Sequence, residues 1–311
     1  MITEKHSHLP DISKSKSSDI ELPIDKVGMS NIEMPIRLKL LGDSFLVPSR
    51  LTATVNLIDP KAKGIHMSRI YRSARDTLSA HTLSAELIKK FLKEIDDSQE
   101  MLSDSSYVEL NFQLPLKRKA LKTDDWGWRQ YPICIKASRI KGEVQIYLTS
   151  SVHYSSTCPC SAALSRQLVA DNFIDTFPEK DLLNKKSVQD WLLKESSIVA
   201  TPHAQRSEAE FTVQLQNSIP DIDFVSLIDL IEKALGTPVQ TLVKRADEQE
   251  FARLNGTQLM FCEDAGRKLK VALENEKDLL DYKVTVSHYE SLHAHDATST
   301  VIKGVAGGLK A

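Results

Sequence analysis

Apolar and polar residues alternate along several stretches of the chain, which is the pattern of β-strands that bury one face. The clearest alternation runs from Val108 to Leu116, and Pro115 predicts that this strand ends at a sheet edge or a bulge. The same alternation recurs in the segments 51–57, 133–137, 144–148, 209–215 and 282–290. Lys141-Gly142 predicts a turn between two of these strands.

Between the strand patterns, apolar residues recur every three or four positions, as they do along one face of a helix. One such segment is 87–95, with Ser84 as a candidate N-cap. Another runs from Asp223 to Gly236, and a third covers about 261–273. Strands, helix and strands thus follow one another twice. This repetition predicts an α+β fold of two related units, with antiparallel sheets covered by helices on one face.

Two regions depart from this pattern. Residues 1–30 are rich in Ser, Lys and Asp and have little periodicity, which predicts a polar, partly disordered tail. Residues at about 162–199 mix apolar side chains with many charges, and they predict a helical insertion broken near Pro178. The predicted domains are therefore a first unit at 31–155 and a second at 156–311, which contains the insertion.

Composition narrows the class of protein. The chain has 311 residues, of which 41% are apolar and 26% are charged, as in ordinary globular proteins. A net charge of −2 provides no overall field for nucleic acid or an anionic membrane, so an anionic substrate needs a local group of cations. No apolar run reaches the ~18 residues of a membrane span. Residues 1–16 lack the apolar core of a signal peptide, so we expect a cytoplasmic protein.

Side chains that bind transition metals are concentrated in four separated fragments. These fragments are 156–161, 202–207, 244–248 and 290–296. Ligands of a small structural zinc finger lie in close pairs, whereas wide spacing is typical of a pocket assembled by a large fold. Such pockets use a metal to activate water for hydrolysis. Of the remaining cysteines, Cys134 alternates with isoleucines and is expected to pack within a strand.

Each fragment also has a structural explanation when it is taken alone. Cys158 and Cys160 flank Pro159, which favours an extended Cys158 and makes the two sulfurs diverge. Two ordinary buried cysteines would give the same pattern. A lone His203 is more often a surface or core residue, and Glu248 belongs to a run of charges that suits a solvated face.

Further candidate groups are equally ambiguous on their own. Glu263 lies near a predicted helix start, where a carboxylate commonly stabilises the helix dipole. His288, His293 and His295 suit proton transfer or metal binding, although His-rich surface turns also occur. No Gly-rich phosphate loop is present, yet the segment 64–69 can offer a hydroxyl and a guanidinium to a phosphate.

Taken in order, six fragments of the chain resemble the type IB GTP cyclohydrolases, the prokaryotic class found in folate biosynthesis. These fragments are 23–28, 64–69, 158–161, 203–207, 244–248 and 290–296. They extend over nearly the whole chain except the tail and the insertion. The resemblance implies a tunnelling fold with two tandem ββααββ-like units per chain. It also implies a homotetramer with active sites at the subunit interfaces.

The resemblance implies a metal site as well. Cys158, His203 and Glu248 match the family's ligands for one divalent transition metal per active site, which can be Mn, Fe or Zn. The chain departs from the family at Ala246, where Pro is more common. The interval between Cys158 and His203 is also longer than expected for the family. An insertion between two strands can loop out at small entropic cost, so we keep the assignment.

Other roles follow from the same resemblance. Glu263 is expected to anchor the guanine, and His293 to act as the acid and base, with Cys160 and Glu290 close by. The triphosphate needs cations and hydroxyls in spite of the neutral total charge. The candidates for this task are Lys244, Arg245, Arg206, Arg69 and Ser68.

The implied reaction converts GTP and water to 7,8-dihydroneopterin triphosphate and formate, the first step of tetrahydrofolate biosynthesis, through attack of metal-activated water on guanine C8. The implied partners are GTP and further copies of the chain, with no nucleic acid and no membrane. Two alternatives stay open. A tunnelling-fold enzyme related to nitrile reductases would use Cys158 or Cys160 as a nucleophile without a metal. A metal-binding scaffold would show no turnover.

Overall fold

The computed structural model describes residues 17–40, 42–178 and 182–311. Within these residues, eight strands form one sheet in which every strand lies antiparallel to its neighbours in the sequence. The strands are β1 (Ile24–Leu40), β2 (Asp43–Leu57), β3 (Ser105–Lys119), β4 (Trp126–Ile140), β5 (Glu143–Thr157), β6 (Ala204–Leu215), β7 (Leu279–His288) and β8 (Ala297–Ile302).

Of the described α-helices, two lie between β2 and β3, two in the insertion between β5 and β6, and three between β6 and β7. They are α1 (Met67–Ser73, continued by a π-helical turn at Ala74–Leu78), α2 (Ala85–Asp97), α3 (Pro159–Thr176), α4 (Lys185–Leu192), α5 (Phe224–Leu235), α6 (Arg245–Thr257) and α7 (Cys262–Glu274). Two strands, helices and two strands thus occur twice in succession. This order, with the helices on one face of the antiparallel sheet, confirms the predicted α+β tunnelling fold. No described helix has the combined length and apolar character needed to cross a membrane.

The predicted domain limits lie partly outside the described residues. Residues 1–16 of the predicted tail lie outside the described residues, and β1 already begins at Ile24. The boundary predicted between residues 155 and 156 stays a prediction, and 143–157 form one continuous strand.

The strand pattern read from the sequence corresponds to real strands. Along β3 the apolar residues from Val108 to Leu116 are buried at every second position. β2 pairs with β3 only as far as Phe112, so Pro115 lies where β4 is the single neighbour of β3. This confirms the edge position predicted for that proline, whereas the predicted strand end is wrong, because β3 continues to Lys119. Lys141 and Gly142 connect β4 to β5, and both have the positive φ angles of a tight hairpin turn.

The predicted helix ends are also confirmed. At the start of α2, Ser84 Oγ accepts a hydrogen bond from the backbone N–H of Leu87 at 3.1 Å. At the start of α5, Asp223 Oδ1 accepts from the N–H of Ser226 at 2.9 Å. Gly236 follows the last residue of α5 in the left-handed conformation, where a residue without Cβ has no steric penalty.

The hydrophobic core lies between the sheet and its helices. α2 packs on β3 and β4, while α7 packs on β7 and β8. Phe91, Phe211 and Tyr282 are completely buried in this layer. Full burial of one such apolar side chain stabilises the fold by about 1.5–3 kcal/mol, so the core holds both units together.

The insertion contains the two expected helices. The first is longer than expected, because α3 starts at Pro159 and runs to Thr176. Phe173, Phe177 and Trp191 pack together with ring centroids 5.1–6.2 Å apart and join α3 to α4. β5 and β6 pair directly on either side of the insertion, which therefore loops out without disturbing the sheet.

Candidate active site

The ends of β5, β6 and β7 form the rim at which several predicted site residues meet. Thr157 at the end of β5 pairs with Ala204 at the start of β6. One residue further, the backbone N–H of Cys158 donates to the carbonyl of His203 at 3.3 Å. Cys158 has φ −66° and ψ 124°, which confirms the extended conformation expected before Pro159. Two predicted metal ligands far apart in the sequence are therefore neighbours.

Side chains alternate along a strand, so residues two apart share a face. His203, Gln205 and Ser207 consequently lie on one face of the β6 segment, and Gln205 and Ser207 are buried there. Arg206 lies on the opposite face and is exposed. Arg206, a candidate ligand of the triphosphate, therefore does not share a strand face with His203.

His203 is held by a group of polar side chains. Its Nδ1 lies 3.1 Å from Gln205 Oε1 and 3.8 Å from Glu290 Oε2. Both neighbouring atoms are acceptors, so the proton of a neutral imidazole belongs on Nδ1. The Nε2 atom then carries the lone pair that a metal requires. Gln205 Nε2 in turn donates to Ser156 Oγ at 3.0 Å and approaches Glu290 Oε1 at 3.5 Å.

A second polar pair is buried directly behind this rim. The Tyr154 hydroxyl and His288 Nε2 are 2.8 Å apart, on β5 and at the end of β7. Burial lowers the pKa of His288 to about 4, against the opposing influence of Glu263. His288 is therefore neutral at pH 7, and its Nε2 accepts the proton of Tyr154. Burial also raises the pKa of Tyr154, which keeps its hydroxyl protonated.

Glu263 lies in the first turn of α7, close to the same rim. The N–H of Met260 donates to the carbonyl of Thr157 at 3.2 Å and brings the segment before α7 beside the end of β5. The backbone N–H of Glu263 and the Cys262 thiol, whose sulfur is 3.3 Å from Oε2, hold the pKa of the carboxyl below its usual range. Glu263 is exposed and therefore available as an ionised acceptor. Burial raises the pKa of Cys262 to about 11, so its sulfur stays protonated.

The loop after β7 carries the predicted acid–base histidine. The N–H of Tyr289 donates to the carbonyl of Arg206 at 3.2 Å, which fixes the start of the loop. The rings of His293 and His295 stack with centroids 5.0 Å apart, and both side chains are exposed. Cys160 is exposed in the first turn of α3. The catalytic roles expected for Cys160, Glu290 and His293 stay predictions.

The fragment from Lys244 to Glu248 forms the start of α6, whereas the sequence suggested a solvated run of charges. Asp247 is completely buried within it. Its carboxylate accepts from the N–H groups of Lys122, Thr123 and Lys244 at 2.7–2.9 Å. Burial acts to raise the pKa of Asp247, but hydrogen bonds from Thr123, Lys244 and Lys122 outweigh it and lower the pKa. Glu248 follows on the exposed side of the helix.

The remaining triphosphate candidates are spread over the fold. Lys244 Nζ forms an ion pair with Asp125 at 2.7 Å. Arg69 Nη2 pairs with Glu100 at 2.8 Å, and its Nη1 donates to the Ser98 carbonyl. Ser68 and Arg245 are exposed at the starts of α1 and α6. Triphosphate binding by these residues stays a prediction.

The structure brings together part of the predicted metal site. Cys158 and His203 are neighbours, and the carboxylate that contacts His203 is Glu290. In the ranges 17–40, 42–178 and 182–311, no three His, Cys, Asp or Glu side chains are grouped closely enough to hold one ion. A thiol and an imidazole with its lone pair on Nε2, carried by two backbone segments that are hydrogen-bonded to each other, are donor types that suit a divalent transition metal. Glu248 lies outside this pair in the single chain, so its part in the site stays a prediction.

Sequence reasoning missed one residue and two side-chain pairings near the rim. Gln205 could have been found, because it lies two residues after His203 and shares its face. The hydrogen bond between Tyr154 and His288 joins strands that are not adjacent in the sheet, and no local sequence pattern predicts it. The hydrogen bond of 2.7 Å between Ser156 and Ser207 depends on the same strand register.

The fold and the rim define a tunnelling-fold protein with a thiol, an imidazole and carboxylates at one end of its sheet. The structure is similar to the crystal structure of uricase from Arthrobacter globiformis, with a TM-score of 0.51 over 94% of this chain and 98% of that chain. The two sequences are 9% identical, so the likeness concerns the fold alone.

The sequence comparisons are more specific. The family model described as Type I GTP cyclohydrolase folE2 matches residues 9–299, and the chain belongs to this family. GTP cyclohydrolase FolE2 of Pseudoalteromonas translucida is 46% identical over 97% of this chain and 100% of its own length. GTP cyclohydrolase FolE2 of Bdellovibrio bacteriovorus is 44% identical over 96% of this chain and 97% of its own length.

Proposed function

We propose that this chain converts GTP and water to 7,8-dihydroneopterin triphosphate and formate, the first step of tetrahydrofolate biosynthesis, as a prokaryotic type IB GTP cyclohydrolase. One observation carries the proposal beyond family membership. Cys158 and His203 are adjacent at the rim, and the contacts of His203 Nδ1 leave its Nε2 free to bind a metal. The proposal includes a cytoplasmic homotetramer with active sites between subunits.

The residues proposed to hold the metal are Cys158, His203 and Glu248, with Glu248 completing the site in the assembled oligomer. Their sulfur, nitrogen and oxygen atoms suit Mn, Fe or Zn, and this donor set does not select among the three. When bound, such a metal supplies a water of lowered pKa for the attack on guanine C8.

The chain's own residues supply binding and proton transfer. Glu263, exposed and ionised, accepts from guanine N1–H and the 2-amino group together, a contact that discriminates guanine from adenine. His293, exposed in the loop after β7, donates a proton to the leaving ring nitrogen and then shuttles protons. Lys244, Arg245 and Arg206 are proposed for the triphosphate, with Arg69 and Ser68 as further candidates.

The decisive experiment reconstitutes the purified protein with Mn, Fe or Zn under anaerobic conditions and adds GTP. We expect stoichiometric formate and a fluorescent neopterin product after oxidation and dephosphorylation, and neither product from the metal-free protein. Failure to form formate with any of these metals would refute the proposal. Retained metal binding without formate would favour a scaffold. Full activity without metal would favour chemistry at Cys158 or Cys160.

The His203→Ala variant tests the ligand assignment within the same assay. It should lose formate release almost completely, because the imidazole is one of three proposed ligands. His81→Ala is a suitable control, because His81 is exposed and its Nδ1 contacts the Thr77 carbonyl, away from the rim. Equal turnover by His203→Ala and the wild type would remove His203 from the metal site.

A further inference from the structure

The side chain of Gln205 connects three residues at the rim. It is 8% exposed, and its amide contacts His203, Ser156 and Glu290. These partners belong to the segment before β6, to β5 and to the segment after β7. Gln205 thus bridges a proposed metal ligand and the carboxylate beside it.

The orientation of this amide is determined by its neighbours. With Nε2 toward Glu290 and Ser156, the amide donates to a carboxylate oxygen and to a hydroxyl. In the reversed orientation, the amide oxygen would face the Glu290 carboxylate, which has no proton to donate when it is ionised. The observed orientation therefore places Oε1 toward His203 Nδ1 and fixes the tautomer whose free lone pair is on Nε2.

The hydroxyl that supports the amide is itself held in place. Ser156 Oγ and Ser207 Oγ are 2.7 Å apart, and both serines are completely buried. Ser156 pairs with Gln205 in the β5–β6 register, and Ser207 lies two residues further along β6. A buried support of this kind restricts the amide to one orientation and lowers the cost of ordering the imidazole on metal binding.

We infer that Gln205 is a positioning residue that fixes the ring orientation and tautomer of His203 and so raises the affinity for the metal. The inference rests on the proposed function in one respect, because His203 must be a metal ligand. Gln205 acts through the imidazole, because its Oε1 is the acceptor within hydrogen-bonding distance of His203 Nδ1. Its removal leaves Glu290, at 3.8 Å, as a weaker restraint on the ring and its tautomer.

The test measures the dissociation constants of Zn²⁺ and Mn²⁺ by competition with a chromogenic chelator, using the full chain in its native oligomer. Gln205→Met keeps the length of the side chain and removes its hydrogen bonds. We expect metal binding to weaken by about 10–100-fold, the usual effect of losing a group that orients a ligand. Gln214→Met is the matched control, since Gln214 is also on β6 and is 7% exposed. Its metal affinity should equal that of the wild type.

The double variant Gln205→Glu/Glu290→Gln provides a rescue, because it exchanges the amide and the carboxylate, so that an acceptor still faces His203 Nδ1 and an amide donor still faces a carboxylate. Its metal affinity should stay close to that of the wild type, and this variant decides the question if Gln205→Met does not fold. Equal affinities for Gln205→Met and Gln214→Met would overturn the inference. A loss in the double variant as large as that in Gln205→Met would also overturn it, because the acceptor would then be irrelevant.

The same measurements separate this inference from the proposed function. If the wild type binds metal but releases no formate from GTP, the proposed function fails while the dissociation constants still decide the role of Gln205. If His203→Ala binds metal as tightly as the wild type, His203 is not a ligand and the inference is overturned. If Gln205→Met lowers the metal affinity and formate release together, the result supports both the role of Gln205 and the proposed function.

Discussion

Individual side chains at the rim owe their properties to a few specific neighbours. Pro159 made the extended conformation of Cys158 predictable from the sequence, because proline restricts the residue before it. The tautomer of His203 was not predictable, since it depends on Gln205 and Glu290 from the assembled strands. The low pKa of His288 arises from burial against Tyr154, which only the tertiary structure creates.

Glu263 is the residue proposed to recognise guanine. Glu263→Gln should raise the dissociation constant for GTP by about 100-fold or more, because an amide group mismatches the two donors of guanine. The matched control is Glu86→Gln, since Glu86 is also exposed at the second position of a helix. Calorimetric titration with GTP would measure both variants. An unchanged affinity in Glu263→Gln would show that another group binds the base.

His288 makes the fold sensitive to acid. In the unfolded chain it takes up a proton near its ordinary pKa of 6.5, whereas in the folded protein it does so only near pH 4. Its contribution to stability is therefore complete above pH 6.5 and is lost as the pH falls from 6.5 to 4, by on the order of 3 kcal/mol.

Replacement of this imidazole should remove that dependence. His288→Phe is expected to unfold at a lower temperature at pH 8, because Tyr154 loses its hydrogen-bond partner. Its Tm should nevertheless change less than that of the wild type between pH 6.5 and pH 4. Scanning calorimetry of both proteins across this range gives the comparison. Parallel Tm curves would mean that His288 is not responsible for the acid sensitivity.

Among the structural elements, those with one buried face were predictable and those without one were not. β3 and α2 have regular apolar periods, and both were predicted. α6 was missed because Asp247 is its only fully buried residue, so it has no apolar stripe. β8 was missed for a similar reason, since none of its residues is fully buried. β1 is an exception, since it was missed although Ile32, Met34, Ile36 and Leu38 are buried on one face. A register shift between Met29 and Ile32 interrupts the alternation before these residues.

Asp247 fixes the start of α6 and the loop between β3 and β4 together. Asp247→Asn should lower the Tm by roughly 2–5 °C. The amide nitrogen of asparagine would face a backbone N–H group that donates to the carboxylate in the wild type. The lowered pKa of Asp247 means that its contribution is present above the ordinary carboxyl pKa near 3.8 and is lost as the pH falls below it. The difference in Tm between the wild type and Asp247→Asn should therefore be smaller at pH 3 than at pH 7, as measured by thermal unfolding.

A matched variant controls for the loss of one negative charge. Asp221 is exposed in the loop before α5, and Asp221→Asn should leave the Tm almost unchanged at both pH values. If Asp247→Asn and Asp221→Asn behaved alike, the hydrogen bonds to Lys122 and Thr123 would not stabilise the start of α6.

The whole molecule shows why the proposed metal site was only partly predictable. The direct pairing of β5 with β6 brings Cys158 to His203 despite the long insertion between them, as expected from the small cost of a looped-out segment. In the proposed site, Glu248 joins this pair only in the assembled oligomer. No pattern in the sequence indicates how copies of the chain would assemble, so the assignment of Glu248 rests on the family resemblance.

The convergence of a sulfur, an imidazole and a carboxylate on one ion is the central claim, and X-ray absorption at the metal edge tests it most directly. Zinc-loaded wild-type protein should show one sulfur neighbour at about 2.3 Å together with nitrogen and oxygen neighbours. The sulfur neighbour should disappear in zinc-loaded Cys158→Ser, while the nitrogen and oxygen neighbours remain. A wild-type spectrum without sulfur, or a sulfur signal that persists in Cys158→Ser, would contradict the account.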